Sequence, residues 1–101
     1  MKIYISGAIS NTDDYMERFA KAEKELTMQG YSVVNPAKVN AQFPKDTTYE
    51  EYMKMCFCML DICEAIFMIQ GWSKSRGSIR EYGYATAKKK TVFYEYELMN
   101  E

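Results

Sequence analysis

The stretch Ala65-Ile66-Phe67-Met68-Ile69, running directly into Gln70-Gly71-Trp72-Ser73-Lys74-Ser75-Arg76-Gly77-Ser78-Ile79-Arg80-Glu81-Tyr82-Gly83, decides how this chain is read. A short unbroken apolar run bounded by turn-forming residues reads as a buried strand. Tyr82-Gly83-Tyr84-Ala85-Thr86-Ala87 then reads as a tightly packed helix. A small-residue loop between a buried strand and a helix is where α/β proteins hold ligands. Near the start of that helix stands Glu81. The chain has no histidine, which makes this carboxylate the best candidate for chemistry.

Outward from this stretch, strands and helices alternate. Lys2 to Ser6 is a short strand ending at Gly7. Asn11-Thr12-Asp13-Asp14 offers capping residues and early negative charge, which suit a helix N-terminus. Tyr15, Phe19, Ala22 and Leu26 then recur on one helical face, and Gly30 is a natural stop. Tyr31 to Val34 is a second strand, closed by Asn35-Pro36. Ala37 to Asp46 has no clear period and reads as a loop, a candidate lid over a ligand. Thr48-Tyr49-Glu50-Glu51 fits a capping box that opens a helix reaching about Cys63, with Tyr52, Met55, Met59 and Ile62 or Cys63 facing inward. The third helix covers about Ser75 to Lys89, Thr91 to Tyr94 is a fourth strand, and Glu95 to Glu101 is a short acidic tail.

The order β-α-β-α-β-α-β predicts an α/β fold: one small, doubly wound parallel sheet, flavodoxin-like, with strand order 2-1-3-4 and helices on both faces. The connections after the first and third strands leave in opposite directions. A crevice then opens at the carboxyl ends of these strands, between Ser6-Gly7-Ala8-Ile9-Ser10 and the Gln70–Gly77 loop.

The bulk numbers narrow the function. The 101 residues fit a single domain spanning 1–101. Hydrophobic residues make up 48% and charged residues 27%, which argues against disorder. The formal net charge of −1, with both signs interspersed, lacks the basic face that a nucleic-acid polymer would require. No apolar run approaches a membrane span, and the first residues are too short for a signal peptide, so a cytoplasmic protein is expected. Cys56, Cys58 and Cys63 read as buried cysteines in a Met-rich helix rather than as disulfides or a metal site. Gly-x-Gly-x-x-Gly and Walker sequences are absent and a Ser–His or Cys–His pair is impossible, so neither a cofactor nor a metal is expected.

Each candidate has a functional and an architectural reading. Glu81, near a helix start, could be held ionised and act as a nucleophile or stabilise a cationic centre; it could equally be a surface carboxylate. Gly77 would permit close backbone approach to a ligand, and Gly83 a close helix–sheet contact. Trp72 could stack on a planar base or plug the sheet edge. Arg76 and Arg80 could bind phosphate or stand solvated at the helix terminus.

Tyr4-Ile5-Ser6-Gly7 at the first strand, an acid opening the third, and Ser75-x-Gly77-x-x-x-Glu81-x-Gly83-x-Ala85 together resemble the nucleoside 2-deoxyribosyltransferase superfamily, which includes the 2′-deoxynucleoside 5′-phosphate N-glycosidases. The Gly-Trp after the third strand is most similar to a compact bacterial and phage branch. The resemblance implies that Glu81 attacks the anomeric carbon, forming a covalent glycosyl-enzyme as the base leaves, and that water or a second base then takes the sugar. It implies that Tyr4 positions the sugar or the nucleophile and that Ser75 contacts sugar or phosphate. Gly7, Ser10, Trp72 and Gly77 complete the expected substrate-binding set. The strand-opening acid is Glu64. It also implies a small-molecule nucleoside or nucleotide as partner, and a homodimer or larger homo-oligomer.

Two departures stand out. The superfamily's helix Asp, eight residues before the strand-opening acid, is Cys56 here, and the phosphate-holding Ser and Arg after the strand-1 glycine are Ala8 and Ser10. Three functions therefore compete: N-glycosidic bond hydrolysis or deoxyribosyl transfer, nucleotide binding without turnover, and protein interaction by a phage-derived chain with a vestigial pocket.

Overall fold

The computed structural model describes residues 1–9 and 13–95. It contains strand β1 (Lys2–Ser6), helix α1 (Tyr15–Met28), β2 (Ser32–Val34), α2 (Pro36–Asn40), α3 (Tyr49–Asp61), β3 (Ala65–Met68), a 3₁₀ turn (Trp72–Lys74), α4 (Arg76–Ala87) and β4 (Thr91–Tyr94). The sheet runs β2-β1-β3-β4 and every pairing is parallel. This is the predicted α/β fold and strand order.

Strand alternation divides the core in two. Ile3 and Ile5 of β1 join Ala65 and Phe67 of β3 on one face, covered by Phe19, Ala22 and Leu26 of α1 and Ala37 of α2. Tyr4 of β1 joins Ile66 and Met68 of β3 on the other, covered by Cys56 and Leu60 of α3 and Ala85 of α4. The central strands are buried on both sides, which explains why Ala65–Met68 is apolar throughout.

Three local expectations are corrected. The first concerns Ala37 to Asp46, where the structure has α2 rather than a continuous loop. Asn35 caps it by accepting from the backbone N–H groups of Ala37 and Lys38, and Pro36 occupies its first turn.

The second is the inward face of α3. Met53, Cys56 and Leu60 are buried, with Cys63 just beyond, whereas Met55 and Ile62 are exposed. Tyr49, Tyr52, Met53, Met55, Cys56, Phe57, Met59 and Leu60 surround the helix, so periodicity selects no single stripe and docking on the sheet does. The capping box at its start forms as expected, Thr48 and Glu51 each accepting from the other's backbone N–H. The same docking leaves Cys58 exposed, against its expected burial, while Cys56 and Cys63 are buried; all three are free thiols.

The third is Gly83, which makes no close helix–sheet contact: a Cβ built there meets nothing within 4 Å. Gly7 is the opposite case, because a Cβ there would lie 3.0 Å from Ile69 Cβ and 3.1 Å from Cδ1. At the front of α1, Asp14 occupies the cap position without a side-chain cap bond, and Ser10, Asn11 and Thr12 lie outside the described residues. So does the acidic tail beyond Glu95.

These glycines give a paired prediction. Gly83→Ala, in an exposed helix interior, should stabilise the protein by about 0.5–1 kcal/mol. Gly7→Ala should cost about 1–3 kcal/mol through overpacking against Ile69. Urea denaturation of both variants checks this, and equal midpoints would contradict it.

Candidate active site

The alternation that sends Ile3 and Ile5 to one face sends Tyr4 and Ser6 to the other, beneath α4. Ser78, Glu81 and Ala85 form the buried stripe of α4. Three hydroxyls and a carboxylate thus meet where an apolar core would be the default. Glu81 is only 6% exposed, which removes the reading of it as a surface carboxylate.

Its oxygens are divided between donors. Tyr4 Oη donates to Oε2 at 2.5 Å and Ser6 Oγ donates to Oε1 at 2.6 Å, distances suited to bonds from hydroxyls to a carboxylate. Ser6 has one proton and gives it to Glu81, so the 2.6 Å contact between Ser6 Oγ and Ser78 Oγ is donated by Ser78. Cys56 of α3 is a further neighbour of the carboxylate. Its thiol hydrogen-bonds toward Glu81, while its sulfur accepts from Asn40 Nδ2 at 3.5 Å.

Burial dominates the protonation of this cluster. It raises the Glu81 pKa above the usual carboxylate value, while hydrogen bonds from Ser6, Tyr4 and Cys56 pull it down. This differs from the expected helix-terminus effect. Glu81 is in the second turn of α4, and such an effect fades within the first. Burial, reinforced by the Glu81 charge, raises Tyr4 well above its ordinary value and Cys56 to about 11. Both therefore stay protonated near neutral pH and serve as donors.

Glu81 lines one wall of a cleft of about 800 Å³, within the size range of small-molecule sites. Gly7, Ser75 and Gly77 line it too, as do Asn40, Tyr49, Tyr52, Met53 and Cys56. The expected site residues are thus largely brought together, with Tyr4 reaching Glu81 from the sheet. Ser75 also caps α4, its Oγ accepting from Ser78 N at 3.2 Å. Trp72 is placed elsewhere: it stacks on Tyr82 at 4.7 Å and packs with the sheet cluster rather than lining the cleft. Arg80 is held by both Glu50 oxygens, at 3.0 and 3.1 Å. Glu64 accepts from Lys2 N at 2.7 Å, tying the starts of β3 and β1. Ser10 lies outside the described residues.

Sequence reading missed Asn40 and Ser78. Asn40 ends α2, and its Oδ1 is a buried side-chain oxygen without a partner among the described residues. The Asn35-Pro36 pair, a cap followed by a first-turn proline, was the available signal for that helix. Ser78 could have been found as a polar residue sharing one helical face with Glu81 and Ala85.

Fold and site together define a flavodoxin-like α/β protein with a buried, hydroxyl-bonded carboxylate at its switch-point cleft. The chain belongs to the family described as Domain of unknown function (DUF4406), whose profile matches residues 1–94. A solved structure, described as that of a 2-deoxyribosyltransferase from the psychrotolerant bacterium Bacillus psychrosaccharolyticus, superposes with a TM-score of 0.75 at 20% identity. The match covers 93% of this chain and 71% of that one. At such identity the likeness is one of fold. No curated protein matches the chain significantly.

The buried carboxylate leaves a signature in stability. Its folded pKa lies above the unfolded 4.5, so the native state keeps the proton to higher pH than the unfolded chain. The resulting stability is fully present below 4.5 and is lost as pH rises through the raised folded value. Glu51 and Asp61 are shifted downward, by the Thr48 backbone and the Tyr84 hydroxyl respectively, but both remain in a Glu81→Gln variant and cancel. The Tm of Glu81→Gln minus that of the wild type should therefore increase from pH 4 to pH 8. A difference independent of pH would contradict the assignment.

Proposed function

We propose that this protein cleaves the N-glycosidic bond of a nucleoside or nucleoside monophosphate, with Glu81 as nucleophile, and passes the sugar to water or to a second base. The observation that carries the reading is the Glu81 carboxylate itself: the acid lining the cleft, buried, and oriented by Tyr4 and Ser6. Breaking an N-glycosidic bond develops positive charge at the anomeric carbon, and a desolvated carboxylate both stabilises that charge and can bond to it. A Glu81 oxygen joins C1′ as the C1′–N bond breaks, and the bonding pair leaves with the base, which takes a proton from water in the cleft. Water then attacks C1′, loses a proton and releases Glu81. Tyr4 and Ser6 act as positioning residues for the nucleophile, while Gly7, Ser75 and Gly77 line the same cleft.

Cys56 favours a second reading, a nucleotide-binding protein without turnover. Its thiol, pushed up to about 11 by burial, is a weak proton donor to a leaving base. Loss of a positioned general acid costs on the order of 10²–10⁴ in rate. Under the main reading, turnover is correspondingly slow. A cytoplasmic setting and association into a homodimer or larger oligomer belong to the same reading, with exposed apolar side chains such as Ile62 and Ile79 available for contacts.

Incubation with a panel of deoxynucleosides and their monophosphates should release free base, measured by chromatography. Glu81→Gln should abolish release, and Tyr4→Phe should slow it by roughly tenfold to a hundredfold through loss of one hydrogen bond to a charged group. Saturable binding across the panel with no base released by folded wild-type protein would replace the enzymatic reading with the second.

A further inference from the structure

The cleft has a charged mouth that the proposed chemistry at Glu81 does not use. Lys45, Lys74 and Arg76 line it, while among the described residues the one carboxylate in its lining is Glu81, at the buried end. Among the described residues none of these three cations has an acidic partner. The acids at the start of α3 are engaged elsewhere: Glu50 is bound by Arg80, and Glu51 is held in the Thr48 capping box. Asp46, beside Lys45 in the chain, does not line the cleft. In a chain of net charge −1, this is a local concentration of positive charge in a concave site, where fields are focused.

The backbone adds to it. Of the first amides of α4, Ser78 N is taken by Ser75 Oγ and Ile79 N by the Ser75 carbonyl. The N–H groups of Arg76 and Gly77 remain, beside the Arg76 side chain. At Gly77 the helix start faces Met53 and Tyr49 of α3: a Cβ there would lie 3.4 Å from Met53 Sδ and 3.6 Å from Tyr49 Oη. Arg76 lies over the Tyr49 ring, 5.0 Å from its centroid, so its guanidinium is held against the start of α3. By contrast, Gly7-Ala8-Ile9 after β1 supplies no cation.

We infer that Lys45, Lys74 and Arg76 form the subsite for a phosphate monoester, and that the substrate is a nucleoside 5′-monophosphate rather than a nucleoside. A dianionic phosphate matches three unpaired cations and two free helix amides. The cleft runs from this subsite to Glu81, so one molecule can present its phosphate at the mouth and its sugar to the carboxylate. The inference rests on the reading of Glu81 as the group that meets the sugar.

The test is calorimetric binding of 2′-deoxynucleoside 5′-monophosphates and the matching nucleosides to the Glu81→Gln protein, which prevents turnover, with base release by the wild type measured in parallel. The monophosphates should bind at least about tenfold more tightly at low ionic strength, and the advantage should shrink as salt screens the mouth. Lys74→Glu combined with Arg76→Glu should bring the affinity ratio to one or below. Equal affinities for the two ligand sets, or a preference unmoved by the double substitution, would overturn the subsite. Monophosphate preference without base release would keep the subsite and remove the catalytic reading. Base release at equal efficiency from both sets would do the reverse.

Discussion

The bond on which site and fold both depend is the one from Tyr4 Oη to the Glu81 carboxylate. A carboxylate this deeply buried is costly unless its oxygens are satisfied, and removing one partner leaves an uncompensated polar group. Tyr4 is in the first strand and Glu81 in the last helix, 77 residues apart, so the bond forms only when the chain has closed on itself. Its register is strict. Shifting β1 by one residue would turn Ile3 and Ile5 toward α4 and move Tyr4 and Ser6 to the opposite face. The same alternation that builds two apolar layers therefore delivers two hydroxyls to one acid.

This arrangement places a polar cluster where apolar packing would be the default. Ser6, Ser78 and Glu81 occupy positions that a purely structural core would fill with apolar side chains, and at Glu81 burial outweighs the hydrogen bonds that satisfy its oxygens. The parallel sheet tolerates this because the polar cluster sits at the carboxyl ends of β1 and β3, where apolar packing gives way to the cleft. Cys56 marks how far the polar character extends. It contributes a donor to Glu81 without adding a second ionised group, which would repel the first.

Much of this was legible in the chain. Ala65–Ile69 identified a strand buried on both faces, and the spacing of Gly30, Pro36 and the Thr48–Glu51 box punctuated the rest well enough to fix strand order. Glu81 and Gly7 stood out because loops at a switch point are few and the chain lacks histidine. What escaped was set by tertiary contact. The inward face of α3 is decided by the sheet, since apolar residues surround that helix. Trp72 could have faced base or core, and its stacking with Tyr82 depends on how the 3₁₀ turn leaves β3. Burial of Glu81 outweighs any helix-terminus effect, a balance that is visible only once Tyr4, Ser6 and Cys56 are seen to enclose it.

The central claim is that Glu81 forms a bond to the sugar. Its most direct test is mass spectrometry of the wild-type protein quenched during reaction with a nucleoside monophosphate carrying a 2-fluoro sugar, whose electron withdrawal slows breakdown of a glycosyl-enzyme. The account predicts that one sugar phosphate is added to the intact protein and that peptide mapping locates it on Glu81. Base release with the protein mass unchanged throughout, or attachment of the sugar to another residue, would contradict it.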